Sequence, residues 1–160
     1  MLREFDVWVV NASPLISLEK IGCLGLLAQL AKEIILPGAV VAEVAVGPRP
    51  LLPAQLGQHR LVTGTALHPI VAAWDLGAGE SEVVSCAAAS GAVAVLDDRA
   101  ARNCAAALGI PTKGTLRVLL DAKSLGLVPA IRPLVDGLRS AGLFLSDALI
   151  EKALNSAGES

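Results

Sequence analysis

The residues best placed to do chemistry in this chain are acids that follow short apolar runs. Val93-Ala94-Val95-Leu96 reads as a buried strand and ends in two adjacent carboxylates, Asp97 and Asp98. An alanine-rich, helix-favouring segment from Arg99 to Leu108 follows at once and stops at Gly109. In open α/β sheets, ligands gather outside the carboxyl ends of the strands, so a pair of acids there calls for others able to reach the same point. Asn11 follows a second apolar run, Val7-Trp8-Val9-Val10. Glu43 is the only charged residue between Pro37 and Val46, and Glu80 and Glu82 open a helix after Gly77 and Gly79. Oxygen donors without accompanying His or Cys suit Mg²⁺ or Mn²⁺ rather than zinc. A hard cation held by a few carboxylates keeps its waters and meets substrate phosphates, so the chemistry to expect is metal-assisted attack of water on phosphorus.

Each of these residues also has a plainer reading. Asn favours turns and caps, and its amide oxygen is a ligand without the charge of a carboxylate. Glu43 is either a ligand or the one solvent-facing position of an apolar helix. First-turn acids such as Glu80 complement a helix dipole, and Glu82 lies about 200° further round at ~100° per residue, so the two are not expected to serve one site directly. Asp98 can cap the helix it precedes, which leaves Asp97 as a solvated turn acid or a spare ligand. Ser13 can cap the helix after Asn11 or donate to the acids from behind.

The elements that would position these groups alternate along the chain. After the first strand, Ser13 and Pro14 start a short helix ending near Gly22. A second helix spans Leu24 to Ala31, a strand Glu33 to Leu36, and a helix Pro37 to about Val46. Gly47 to Pro53, with three prolines, reads as a loop. Residues 54–75 are the least legible: Leu61-Val62 is a minor strand and His68-Pro69 breaks any helix. A helix from Glu80 to Ala89 precedes the Val93 strand. Ile110 to Lys113 adds a short strand, followed by helices from Gly114 to about Leu125, Pro129 to Ala141, and Ser146 to about Leu154. Strands alternating with helices predict a three-layer α/β/α sandwich around a central parallel sheet, one domain over 1–160.

Composition narrows the class. Of the 160 residues 54% are hydrophobic but only 2% aromatic, with no Tyr, so Ala, Val and Leu must build the interior. That suits close helix-on-sheet packing better than a base-stacking surface. A mean hydropathy of +0.63 also points to apolar surface covered by a partner or a second copy. The longest uncharged run, Leu61 to Trp74, has 14 residues, short of the roughly 20 that span a bilayer. Arg3, Glu4 and Asp6 before the first apolar run do not make a signal peptide. Cys23, Cys86 and Cys104 lack metal-ligand spacing and read as reduced core thiols in apolar helices of a cytoplasmic protein. The net charge of −2 hides a division: residues 1–98 carry 5 basic and 10 acidic residues, whereas residues 99–139 carry 7 basic and 2 acidic. An acidic half joined to a basic half fits a metal-dependent enzyme acting on a polyanion, and equally fits ordinary solvated helix faces.

Four motifs in order carry a family resemblance: Val9 to Ile16, Leu36 to Val44, Leu76 to Glu82, and Leu96 to Arg102. With the stretches Gly109 to Thr115 and Lys123 to Pro129, they make nearly the whole chain resemble the PIN-domain superfamily. More narrowly, it looks like the PIN-like branch of predicted nucleic-acid-binding proteins related to VapC-like toxin ribonucleases. The resemblance implies an α/β/α fold, a Mg²⁺ or Mn²⁺ site, endoribonuclease activity, homodimers and restraint by a cognate antitoxin. By position it implies metal ligands at Asn11, Glu43, Glu80 and Asp98, catalytic carboxylates at Glu43, Glu80, Asp97 and Asp98, and Ser13 behind them. Arg99, Arg102, Lys113 and Arg117, downstream of these acids, are candidates to hold RNA phosphates. Most active members have Asp where this chain has Asn11, which lowers the expected cation affinity. The competing reading is a PIN-like RNA- or protein-binding module with weakened catalysis. A phosphotransferase on another doubly wound sheet would want a Gly-rich phosphate loop, and the sequence has none.

Overall fold

A computed structural model describes residues 6–47, 50–51, 55 and 57–159. The N-terminal charges Arg3 and Glu4 and most of the proline loop between Gly47 and Pro53 lie outside the described residues. Among the described residues five strands form one parallel sheet in the order β3-β2-β1-β4-β5. The strands are β1 (Val7–Val10), β2 (Glu33–Pro37), β3 (Arg60–Val62), β4 (Val93–Val95) and β5 (Thr112–Lys113). A parallel sheet covered on both faces needs strands that are apolar throughout rather than alternating. β1 and β4 obey: Trp8, Val9, Val10 and Val93 to Leu96 are all buried.

The helices are α1 (Ala12–Lys20), α2 (Leu26–Leu30), α3 (Gly38–Ala45), α4 (Pro69–Ala72), α5 (Ala78–Ser90), α6 (Arg99–Ala107), α7 (Thr115–Ser124), α8 (Arg132–Ser140) and α9 (Asp147–Ser156). α5 lies against β1, β2 and β4 and touches α3, α4 and α6. α7 lies against β5 and gathers α1, α2 and α9, with α8 packed on α1. The three-layer α/β/α architecture expected from the alternation is therefore present. Small residues let α5 approach the sheet, its buried positions being Gly79, Val83, Val84, Ser85, Cys86 and Ala87. Gly91, at φ +66°, ends that helix in the left-handed conformation and returns the chain into β4.

Two local expectations change. His68-Pro69 starts a helix instead of excluding one: the imidazole Nδ1 accepts from Ile70 N at 3.1 Å, and Ser85 Oγ accepts from His68 N at 3.0 Å. Pro69 sits at the first helical position, where its missing N–H costs nothing. Cys23 lies in the turn between α1 and α2, not in a helix. All three thiols are free, and burial pushes each up from its ordinary pKa, as suits inert side chains. No helix among the described residues is long and apolar enough to cross a membrane.

The register of β1, β4 and β5 decides which residues meet at the sheet edge. Val10 lies beside Val95, and Val95 beside Lys113. The residues just past these strands, Asn11, Leu96-Asp97 and Gly114-Thr115, thus emerge side by side at one edge. Successive connections run in opposite directions from β1 and β4, so this edge is the switch point at which such sheets bind ligands.

Near the C-terminus, Glu159 ties three helices together. Its carboxylate accepts from Lys123 Nζ at 2.9 Å, Ile131 N at 2.8 Å and Arg132 N at 3.1 Å. The hydrogen bond from the Lys123 ammonium, aided by the two backbone donors, lowers its pKa from 4.5 to about 2. A carboxyl whose folded pKa is depressed adds stability above its unfolded value and loses it as pH falls through the folded one. Glu159→Gln is therefore expected to lower the melting temperature at neutral pH and to flatten its decline between pH 4.5 and about 2. Thermal melts of both proteins across that range decide it, and parallel acid limbs would refute the assignment.

Candidate active site

Asn11 occupies the N-cap position of α1, yet its side chain makes no capping bond. It turns instead toward α5, where Nδ2 donates to Glu80 Oε2 at 3.2 Å. Its amide oxygen is buried and has no hydrogen-bond partner. That oxygen faces Gly79 and Glu43: a Cβ built on Gly79 would lie 3.2 Å from Asn11 Oδ1 and 3.0 Å from Glu43 Oε1. An added Cβ would press on both oxygens. Gly79, expected ahead of the helix, lies inside its first turn.

Glu43 is on the outer side of α3 and exposed, while Glu80 is half-buried. Of the alternatives open for Glu43, exposure and approach to the site both hold, because the carboxylate reaches inward along the rim. Glu82 goes elsewhere, as the helical angle predicts, accepting from Ala39 N at 3.0 Å at the start of α3. A carboxylate on the first-turn N–H groups favours the helix start and anchors the element that carries Glu43.

The Asp97-Asp98 pair divides by function. Asp98 is exposed and caps α6, its Oδ2 accepting from Ala101 N at 2.9 Å. Asp97 is held from several sides. Thr115 donates to it twice, through N at 2.8 Å and Oγ1 at 2.6 Å, and Ser13 Oγ donates at 3.4 Å. Asp97 is thus a half-buried, anchored acid and not a free turn residue. Thr115 is fully buried and was not singled out by sequence reasoning; its position just past β5 was the available signal. Gly114 admits the close approach, since a Cβ on it would lie 3.1 Å from Asp97 Oδ1 and 2.6 Å from Arg102 Nη1.

The four expected phosphate-binding cations separate in the same way. Lys113 is engaged inside the fold: its ammonium pairs with Asp121 at 2.5 Å and lies 4.7 Å from the centroid of the buried Trp8 ring. Arg102 is half-buried and donates to Leu96 O at 3.3 Å. Arg117 is exposed beside Asp121 and Arg99 is exposed, and both line the same cleft as Arg102 and Asp97.

The donor set fits a hard cation in kind. Asn11 Oδ1, Glu43 and Glu80 are all oxygen ligands, and the orphaned amide oxygen faces a carboxylate oxygen with no proton donor between them. Among the described residues no three Asp, Glu, His or Cys side chains already stand close enough to enclose an ion. Any cation here rests on two glutamates and a neutral amide.

A family model described as a PIN domain matches residues 7–159. No curated protein and no solved structure matches the chain.

The two aspartates should respond differently to substitution. Asp97→Ala leaves the buried Thr115 donors unsatisfied and should cost ~1–3 kcal/mol. Asp98→Ala loses a cap worth about 1 kcal/mol, and Asp98→Asn, which can still cap, should cost little. Urea melts of the three variants test this, and a loss in Asp98→Asn as large as that in Asp97→Ala would contradict the assignment.

Proposed function

Because the chain belongs to the PIN-domain family, whose members are generally nucleases, we propose that it is a Mg²⁺- or Mn²⁺-dependent endoribonuclease. The observation that carries this reading is the buried, unpartnered Asn11 Oδ1 at the switch point of the sheet, with Glu43 Oε1 beside the same glycine, Gly79. A buried acceptor without a donor, near carboxylates, is a place for positive charge. Asn11, Glu43 and Glu80 would hold the ion, with Asp97 replacing Asp98 as the acid on the β4 side. When bound, the ion supplies Lewis acidity to the phosphodiester and acidifies water. The chain's own groups do the rest. Glu43 or Glu80 would orient the attacking water and take its proton as its oxygen bonds to phosphorus and the bond to the leaving ribose oxygen breaks, that oxygen being protonated from solvent. Asp97, fixed by Thr115 and Ser13, shapes the opposite wall. Arg99 and Arg102 neutralise the flanking phosphates.

Within this reading the protein acts on RNA in the cytoplasm as the toxin of a toxin–antitoxin module, forms a homodimer and is restrained by its antitoxin. The support for those finer statements is the likeness to VapC-like toxins in motif order. A second reading keeps the fold and drops the turnover. Asn11 favours it, because an amide donating to Glu80 holds the acids together without a cation, as a lapsed site would need.

Asn11→Asp separates the two. The substitution replaces a donor to Glu80 with a third like charge, so the metal-free protein should melt lower in EDTA. Mn²⁺ should then restore the melting temperature and bind more tightly in calorimetry than to wild type, by mass action on the folded state. A nuclease should also cut RNA in Mn²⁺ and lose that activity in Glu43→Gln and Glu80→Gln. Wild type that neither binds Mn²⁺ nor cuts RNA, with binding appearing only in Asn11→Asp, would establish the non-catalytic module.

A further inference from the structure

A cleft of about 510 Å³ opens beside Asp97 and is bounded by the start of α6, by α7, by α9 and by residues 143–145. Its charge is one-sided. Arg99, Arg102, Arg117 and Lys152 line it against the single acid Asp97. Among the described residues, neither Arg99 nor Lys152 has a hydrogen-bond or ion-pair partner. Lys152 was not among the basic residues that the sequence singled out, since it lies outside the basic stretch and only the packing of α9 against α7 brings it here.

At the lip stands Phe144, 87% exposed. In a chain with two Phe, two Trp and no Tyr, a ring left in water is conspicuous. It is not on a loose tether: Leu143 packs on the core and Leu145 is buried, so the backbone on each side is fixed and the ring projects from between. The composition argued against a stacking surface, and the fold nevertheless places one of its few aromatic rings at this cationic cleft.

We propose that this cleft is a single-stranded RNA subsite in which one unpaired base stacks on Phe144 while its flanking phosphates lie on Arg99, Arg117 and Lys152. A ring beside a cationic groove is how proteins hold single strands with little sequence preference. A duplex is a poor fit, because its base faces are already stacked and only its edges and backbone are offered. Asp97 lines the same cleft, so a strand seated there lies beside the sheet edge. The inference rests on the proposed action on RNA.

The test is binding without cleavage: fluorescence anisotropy in EDTA with a short, unstructured, labelled RNA, the same RNA made abasic, and a duplex. Phe144→Ala, which removes an exposed ring and should fold, is expected to weaken binding to the unpaired RNA by roughly 5- to 100-fold. Phe144→Trp should restore it, and the abasic strand should be blind to both. Arg99→Ala with Lys152→Ala should lower the salt slope by about 1.4. Wild-type RNA binding that Phe144→Ala leaves intact would overturn the stacking subsite and spare the RNA reading. Wild type with no affinity for RNA even at low salt would overturn both. Sedimentation of the same samples adds a third outcome: a dimer that Phe144→Ala dissociates, with RNA binding unchanged, would make the ring a contact between copies and end the proposal.

Discussion

Like charges crowded at one edge of a sheet are the constraint on which this structure depends. Two unit charges about 4 Å apart repel by about 4 kcal/mol at an effective dielectric of 20, so acids gathered at a switch point must be held there by other groups. The chain does this with dipoles and amide hydrogens. The amide of Asn11 takes one oxygen of Glu80, the first residue of α7 gives Asp97 a backbone N–H and a hydroxyl, and Glu82 rests on the start of α3. Helix N-termini carry partial positive charge, and Asp97 and Glu82 each sit on one. The acids are assembled by the same helix starts that the parallel sheet forces to one edge.

This arrangement explains why three glycines matter and most of the others do not. Gly77, Gly79 and Gly114 lie where helices must come within reach of carboxylates and an Arg, and in each place an added Cβ would press on side-chain atoms of the site. None of the three needs an unusual backbone angle. Their role is space, which no local pattern in the sequence announces. Gly79 in particular looks like turn chemistry when read along the chain, because Gly77 beside it is the residue before the helix.

Much of the fold was legible because its signals are local. Apolar runs marked β1, β2 and β4, and Asp98, Ser146, Gly22 and Gly109 marked helix ends. The start expected at Ser13 instead lies two residues earlier, at Asn11, and leaves Ser13 inside α1 to donate to Asp97. β3 was legible only as two apolar residues, since its exposed edge leaves little hydrophobic pattern to read. For the site, Asn11, Glu43, Glu80 and the Asp97-Asp98 pair were all visible as strand-end or helix-borne oxygen donors. What could not be read was the division of labour within the pair, because a one-residue step on a turn decides which carboxylate folds back on the helix and which faces the sheet edge. The internal pairing of Lys113 was hidden for a related reason. Its partners, Asp121 and Trp8, come from a following helix and the opposite end of the chain, and only the register of β4 with β5 brings them to it.

The choice of Asn at position 11 is where assembly and function meet. An Asp there would add charge for a cation to use and remove the donor that restrains Glu80, so affinity for metal and stability without metal move in opposite directions. An Asn keeps the edge in order while no ion is bound, at the cost of one unsatisfied oxygen, and would make the proposed ion site weaker. The orphaned Asn11 Oδ1 is that cost in structural form. On the proposed reading such a site would wait on its surroundings: a polyanion drawn to the neighbouring cations would bring phosphate oxygens of its own, able to complete a coordination shell that two glutamates and an amide would leave open. Metal and substrate would then bind as one event, each raising the affinity for the other by the same factor.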